Sequence, residues 1–361
     1  MSDFYEIDFL KVGTSKSGDA IAWRYQQNGR QVIGVVDGGF QETGEALRDH
    51  INQYYDNPSF IDYVVATHND GDHAGGLRTI LEEFDIGQLW MLRPWEYAQE
   101  LLPRFARFTT VDGLSKRLKE IYPNLAELED IANERNIEIY EPFRGNNIGP
   151  FKVLSPSKSR YLDLIVESEK TPEASASERV TVGSVFAEAF RGLAALIRSA
   201  WGEEVFPETD TSSENNMSIV QYGALCNQTI LLTGDAGRLA LTDAANYAQG
   251  VGITLPGIDR FQVPHHGSRH NVSSEILNRW LGKKDLNRLD MGQESFQAFI
   301  SAATDDEKHP RKAVIRAMIH RKGKVYTTKF GPWLNTRSNN APIRPYMSAA
   351  TPLDYPEEQE E

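Results

Sequence analysis

Four side chains able to bind metal crowd into six positions of this chain. They are His68, Asp70, Asp72 and His73, within the run His68-Asn69-Asp70-Gly71-Asp72-His73-Ala74-Gly75-Gly76. Imidazoles and carboxylates at that density leave lone pairs uncompensated unless a cation sits among them. His68 with Asp70, and Asp72 with His73, can each serve a different ion, so the spacing points to a two-metal hydrolase site. The competing reading of the run alone is a polar, glycine-rich turn with internally satisfied histidines, in which Gly71, Gly75 and Gly76 ease a tight bend.

Two later segments weigh on that choice. Thr229-Ile230-Leu231-Leu232-Thr233-Gly234-Asp235 is an apolar strand ending on a carboxylate, where a site would be built. Capping the helix expected from Arg238 to Ala248 is the competing role for Asp235. Phe261-Gln262-Val263-Pro264-His265-His266-Gly267-Ser268 delivers paired imidazoles to another strand end. In a chain of only eight histidines, three strand ends carrying ligand-type residues form one constellation.

These motifs resemble the metallo-β-lactamase-fold hydrolases, and within them the soluble hydrolase domain of the ComEC-type DNA-uptake proteins. That branch shows H-x-D-x-D-H-x-G-G where the superfamily usually shows H-x-H-x-D-H. The resemblance spans about residues 5 to 330, with a gap through the middle. It takes in Phe9-Leu10-Lys11-Val12-Gly13 with Gly18-Asp19-Ala20-Ile21, the Val36-Asp37-Gly38-Gly39 turn, and Asn215 to Val220. Leu232 to Asp235, Val263 to Ser268, and Ile300 to Ala303 leading to His309-Pro310 complete it.

The resemblance implies a four-layer αββα sandwich. It also implies His68 and Asp70 on one ion, Asp72, His73 and His265 on the other, and Asp235 bridging the two. His266 would support the site or touch substrate, and Asp72 or Asp235 would orient the attacking water. The wider superfamily completes its first ion with a histidine between the H-x-x-x-D-H run and the bridging Asp, yet none lies between His73 and His265. Water or an unidentified donor is therefore expected there. The oxygen-rich set makes two divalent ions the expected cofactors, Mn²⁺ or Zn²⁺ with Mg²⁺ a further candidate, the balance tilting away from a purely zinc site.

The substrate expectation rests on charge distribution. The formal net charge of −13 repels a polyanion overall. Between His309 and Lys324, however, Arg311, Lys312, Arg316, Arg321, Lys322 and Lys324 occur without an acid. That run is either a solvated helix face or a phosphate-gripping stripe. His266, His309, Arg311, Lys312 and Arg269 are the candidate substrate contacts. The expected reaction is phosphodiester hydrolysis, with nucleic acid as the substrate. The alternatives are a small-molecule hydrolase acting on a cyclic nucleotide, phosphoester or lactone, and a non-catalytic subunit activated by a partner.

The elements that must position these residues are legible as periodicities. Strands are expected at Ile7–Val12, Ala20–Gln26 and Val32–Val36, with a hairpin at Asn28-Gly29, and then at Ile61–Thr67, Ile137–Tyr140, Phe151–Leu154, Met217–Gly223 and Thr229–Thr233. Helices are expected at Gly44–Tyr55, Ala74–Phe84, through residues 96–135, and at Val182–Trp201. One hydrolase domain is expected over residues 1–334, with a mainly helical insertion at about 156–216 that gates substrate or binds a partner protein. An extended acidic tail follows over 335–361. The acidic stretch Gly202–Asn215 is expected to be mobile. The single Cys226 fits a reducing compartment, and no apolar run reaches the ~18–20 residues of a membrane span, so a cytoplasmic location is expected.

Overall fold

The computed structural model describes residues 3–171, 200–287, 294–344 and 350–360. The expected helix at Val182–Trp201 therefore lies almost wholly outside the described residues. Fourteen strands form two seven-stranded sheets among them. The first sheet contains β1 (Phe4–Leu10), β2 (Ala20–Gln27), β3 (Arg30–Gly38), β4 (Phe60–Val65), β5 (Asp85–Trp90) and β6 (Ile139–Tyr140), with β14 (Trp333–Arg337) on its far edge beside β1. The second contains β7 (Asn147–Ile148), β8 (Phe151–Ser155), β9 (Val220–Leu225), β10 (Gln228–Leu232), β11 (Arg260–Gln262), β12 (Phe296–Ile300) and β13 (Gly323–Thr327) in chain order across the sheet. Each sheet joins an antiparallel meander to a parallel run. The parallel runs are β3-β4-β5-β6 and β10-β11-β12-β13.

Strand alternation builds the layers. Val32 and Val36 of β3, with Tyr5, Ile7 and Phe9 of β1, meet Ile230, Leu232 and Phe299 of the opposite sheet in an inner core. The other face of β3, Ile33 and Val35, packs under α1 (Thr43–Tyr54), α3 (Leu77–Glu83), α4 (Ala98–Leu101), α5 (Val111–Ile121), α6 (Pro123–Arg135) and α7 (Lys158–Glu167). On the second sheet, Leu231 and Phe261 turn outward to the later helices α9 (Arg238–Gly250), α10 (Ser274–Leu281) and α11 (Lys312–Ile319). The result is the αββα sandwich expected from the sequence.

Three local expectations change. The helix expected from Ala74 onward divides into α2 (Gly71–Ala74) and α3, and strand β9 begins only at Val220. A short helix α8 (Ser213–Asn216) comes first, because the Ser212 hydroxyl accepts from the Asn215 N–H and caps it. The stretch after Trp201 is held in place. Glu204 accepts from Arg321 through both carboxylate oxygens, at 2.7 and 3.1 Å, and from Ser274 Oγ, with His320 Nδ1 2.9 Å away. Residues 350–360 carry no helix or strand but lie along α11. There Arg316 donates to the Pro356 and Glu357 carbonyls, and the Glu360 carboxylate accepts the Ala313 N–H at the helix start.

Burial opposes ionisation of Glu204, but the hydrogen bonds from His320 and Arg321 outweigh it and hold the carboxyl down at about 2. A depressed carboxyl contributes stability that is complete above its ordinary value of 4.5 and is lost as pH falls from there towards 2. Glu204→Gln should cost on the order of 3 kcal/mol at neutral pH, because it leaves Arg321 buried without its counter-ion. Denaturant titrations across pH should also show the variant losing less stability than wild type between pH 4.5 and 2; parallel curves would contradict this.

Candidate metal centre

Asp37, at the end of β3, braces the first ligand loop. Fully buried, it accepts from the Thr67 N–H at 2.8 Å and the Thr67 hydroxyl at 2.6 Å, and its Oδ2 lies 2.8 Å from His73 Nδ1. With Nδ1 engaged there, Nε2 is the nitrogen that His73 presents to the centre. Thr67 Oγ1 and Ser218 Oγ occupy Nδ1 of His68 in the same way, at 3.0 and 3.3 Å. Gly75 and Gly76 serve close packing rather than a bend, since a Cβ on Gly76 would stand 2.0 Å from the Gly38 carbonyl oxygen. The helix after the ligands is thereby pressed against the end of β3.

Asp235 leaves β10 through Gly234, and its N–H donates to Ser218 Oγ. His265 and His266 leave the loop after β11 with φ of 49° and 56°, two consecutive non-glycine residues in the left-handed region. That conformation sends the two rings to different sides of Asp235. His265 Nδ1 lies 3.1 Å from Asn215 Nδ2 and 3.0 Å from Asn271 Oδ1, while Asn271 Nδ2 donates to the Asp235 carbonyl.

The Asp235 carboxylate is the hub. Its Oδ1 stands 3.3 Å from His73 Nε2 and 3.9 Å from His266 Nε2. Its Oδ2 stands 3.9 Å from His68 Nε2 and 3.7 Å from His265 Nε2. Asp70 Oδ2 lies 3.8 Å from His68 Nε2, and Asp72 Oδ2 lies 3.7 Å from His266 Nε2. Of the residues expected as ligands, His68, His73 and His265 thus meet Asp235, together with His266, while Asp70 stands beside His68 and Asp72 beside His266. The partition differs from expectation: His266, rather than His265, stands beside Asp72 and His73. His265 faces the His68 side, where the sequence offers no other histidine.

Nε2 of His68, His73 and His266 and Oδ1 of Asp235 are buried without any hydrogen-bond partner. Each such atom costs about 1–3 kcal/mol if left unsatisfied. Imidazole nitrogens and carboxylate oxygens converging in this way are the donor set that divalent ions take, so the residues fit the expected cofactor. The electrostatics agree. Burial opposes charge on His73 and His266, yet Asp235 and its neighbours outweigh it, raising His73 well above its ordinary value and His266 to about 9. Burial pushes Asp19 up, whereas Asp72 and Asp235 are held low despite burial by the surrounding imidazoles. The cluster draws in positive charge, and ions there would compete with protons.

An open cleft of about 500 Å³ reaches this cluster, lined by Ser15–Ser17, Asp72, His265, His266 and residues 305–309. His309 stands in it with its ring centroid 5.7 Å from that of His265, and its Nδ1 is 3.1 Å from Asp306 Oδ2. Ser17 Oγ donates to the same Asp306 oxygen at 2.6 Å. Burial, and then the neighbouring His266, push His309 down to about 4.

Arg269, Arg311 and Lys312 are not among the lining residues. Arg311 donates its N–H to the Gly267 carbonyl, and Lys312 points into solvent. The basic run also fails as a stripe: Arg316 is fully buried, Arg321 is 2% exposed, and Lys322 and Lys324 pair with Asp285 and Glu294. These partners come from distant segments, which no local count of charge reveals. Lys16 and Lys308 are the cations that do line the cleft. Asp19 was missed as a site residue, although the Gly18-Asp19 motif had marked its loop; it is buried within 4.8 Å of Asp235 and His266 ligand atoms. Among the described residues no helix is long and apolar enough to cross a membrane.

No curated protein matches the chain. Among solved structures, it is similar to the metallo-beta-lactamase SMB-1 bound to 2-mercaptoethanesulfonate, at 9% identity over 72% of this chain and 79% of that one, with a TM-score of 0.31. It is also similar to the hydrolase AbOPH of the beta lactamase superfamily, at 10% identity over 71% and 89% with a TM-score of 0.31. A third is an N-acyl homoserine lactone hydrolase with N-hexanoyl-L-homoserine at its catalytic metal centre, at 13% identity over 72% and 92%, again with a TM-score of 0.31. The family model of the Metallo-beta-lactamase superfamily matches residues 22–146, which hold Asp37 and the whole His68–His73 run, so this stretch of the chain is similar to that superfamily.

Proposed function

We propose that the protein is a hydrolase that uses two divalent ions to cleave phosphodiester bonds. The observation that carries this reading is the division of Asp235, whose two oxygens each face a different pair of imidazole Nε2 atoms. His68, Asp70, His265 and Asp235 Oδ2 would hold the first ion. Asp72, His73, His266 and Asp235 Oδ1 would hold the second. Bound ions at such a site polarise a phosphoryl or acyl oxygen and lower the pKa of water.

The chain's own groups supply the rest. Asp37 and Ser218 hold the rings of His73 and His68 in register. Asp306 engages Nδ1 of His309, so its Nε2 is the ring nitrogen left for a substrate or leaving-group oxygen in the cleft. Lys16 and Lys308 bring positive charge to an anionic ester. The carboxylate-rich ligand run and its resemblance to ComEC-type hydrolase domains favour a phosphodiester, nucleic acid included. A second reading, a small ester or lactone, is favoured by Asp305 and Glu307 in the same cleft, which repel a long polyanion.

Metal analysis of protein loaded with Mn²⁺ or Zn²⁺ should give two ions per chain, and Asp235→Asn should retain fewer than one and lose at least ~100-fold in kcat. One ion in both proteins, or an active variant, would contradict the reading.

Substrate class is decided by a panel containing a chromogenic phosphodiester, single-stranded DNA and RNA, and neutral esters and lactones. Lys16→Glu with Lys308→Glu should raise KM for the phosphodiesters by ~10-fold and leave neutral esters unaffected. His309→Ala should lower kcat by ~10–100-fold with metal content unchanged. Turnover confined to neutral esters selects the second reading.

A further inference from the structure

We propose that Asp19 is a further carboxylate ligand of the second ion, joining Asp72, His73, His266 and Asp235. The inference rests on the reading that these four residues hold an ion. Asp19 precedes β2 and is 2% exposed. One of its carboxylate oxygens lies within 4.8 Å of both an Asp235 oxygen and a His266 nitrogen, and one lies within the same limit of ligand atoms of Asp37 and His73. Its contact within ion-pair distance, among the described residues, is His73 Nδ1 at 3.9 Å, the nitrogen that Asp37 engages, so its approach to the centre is the one towards Asp235 and His266. A carboxylate buried this close to Asp235 is costly unless a cation is shared between them.

The loop is built to put it there. Asp19 donates its N–H to the Asp72 carbonyl at 3.0 Å, and its own carbonyl accepts the Gly39 N–H at 2.7 Å. A Cβ on Gly18 would stand 2.3 Å from the Asp72 carbonyl oxygen and 3.0 Å from Asp72 Cβ, so only glycine lets this backbone lie against the ligand run. Gln262 at the end of β11 donates to Asp19 Oδ2 at 2.9 Å while its Oε1 accepts the Thr233 N–H at 2.8 Å. One side chain thereby ties Asp19 to the loop that carries Asp235.

With Asp19 included, the second position draws oxygen from Asp19, Asp72 and Asp235 and nitrogen from His73 and His266. The first draws oxygen from Asp70 and Asp235 and nitrogen from His68 and His265. The second is the harder site and the one suited to Mn²⁺.

The test uses metal-free wild type, Asp19→Ala and Asp19→Asn, titrated calorimetrically with Mn²⁺ and Zn²⁺ and followed by visible absorption with Co²⁺. The expected result is that one of two binding events weakens at least ~10-fold for Mn²⁺ and less for Zn²⁺, while the other stays within about two-fold. The Co²⁺ bands of the affected site should intensify as its coordination number falls. Asp19→Asn without metal should melt at or above wild type, since a buried charge has been removed. Equal weakening of both metals with an unchanged Co²⁺ spectrum would make Asp19 a positioning residue and overturn its assignment as ligand. Unchanged affinities, or joint loss at both sites with a lower metal-free melting point, would also overturn it. Wild type binding fewer than two ions would instead defeat the two-metal reading on which the inference rests.

Discussion

One carboxylate, Asp235, faces four imidazole nitrogens at 3.3–3.9 Å with hardly any solvent to screen it. Left alone, such a group of lone pairs would spread apart or take up protons. It is held because three of the four rings, those of His68, His73 and His265, are fixed from behind. Asp37 and Thr67 hold one side, Ser218 and Asn271 the other, and Asn215 stands beside His265. The rigidity of these supports is what makes the centre a site rather than a chance meeting of polar residues.

The sandwich supplies that rigidity through a shared geometry. In both sheets, the strands that deliver functional residues belong to the parallel run, and the residues sit at or just past their ends: Asp37 at the end of β3, His68 after β4, Asp235 after β10 and His265 and His266 after β11. Buried strands hold their ends firmly, while the loops beyond them are free to carry polar side chains. The inner core of Tyr5, Ile7, Phe9, Val36, Ile230, Leu232 and Phe299 sets the distance between the sheets, and hence the distance across which Asp235 meets the His68 run.

Much of this was legible in the chain. The strands before His68, Asp235 and His265 announce themselves by apolar runs that end on ligand-type residues, and those three strand ends come together. What escaped was decided over long range. Adjacent histidines cannot be told apart by spacing, and only the fold, with left-handed backbone at both, sets their Nε2 atoms beside opposite oxygens of Asp235. Asp19 is separated from Asp72 by more than fifty residues of chain, and no local pattern marks it as buried against that ligand. The basic run after His309 looked free because its partners lie elsewhere: Glu204, Asp285, Glu294 and the carbonyls near the end of the chain. The same pairing explains why the acidic stretch after Trp201 is anchored.

The central claim is that Asp235 lies between two metal positions, and anomalous diffraction from crystals soaked in Mn²⁺ tests it most directly. Data at the manganese edge should show two peaks, one beside Asp235 Oδ1 with His73 and His266, the other beside Oδ2 with His68 and His265. A single peak, or none within reach of Asp235, would contradict the account.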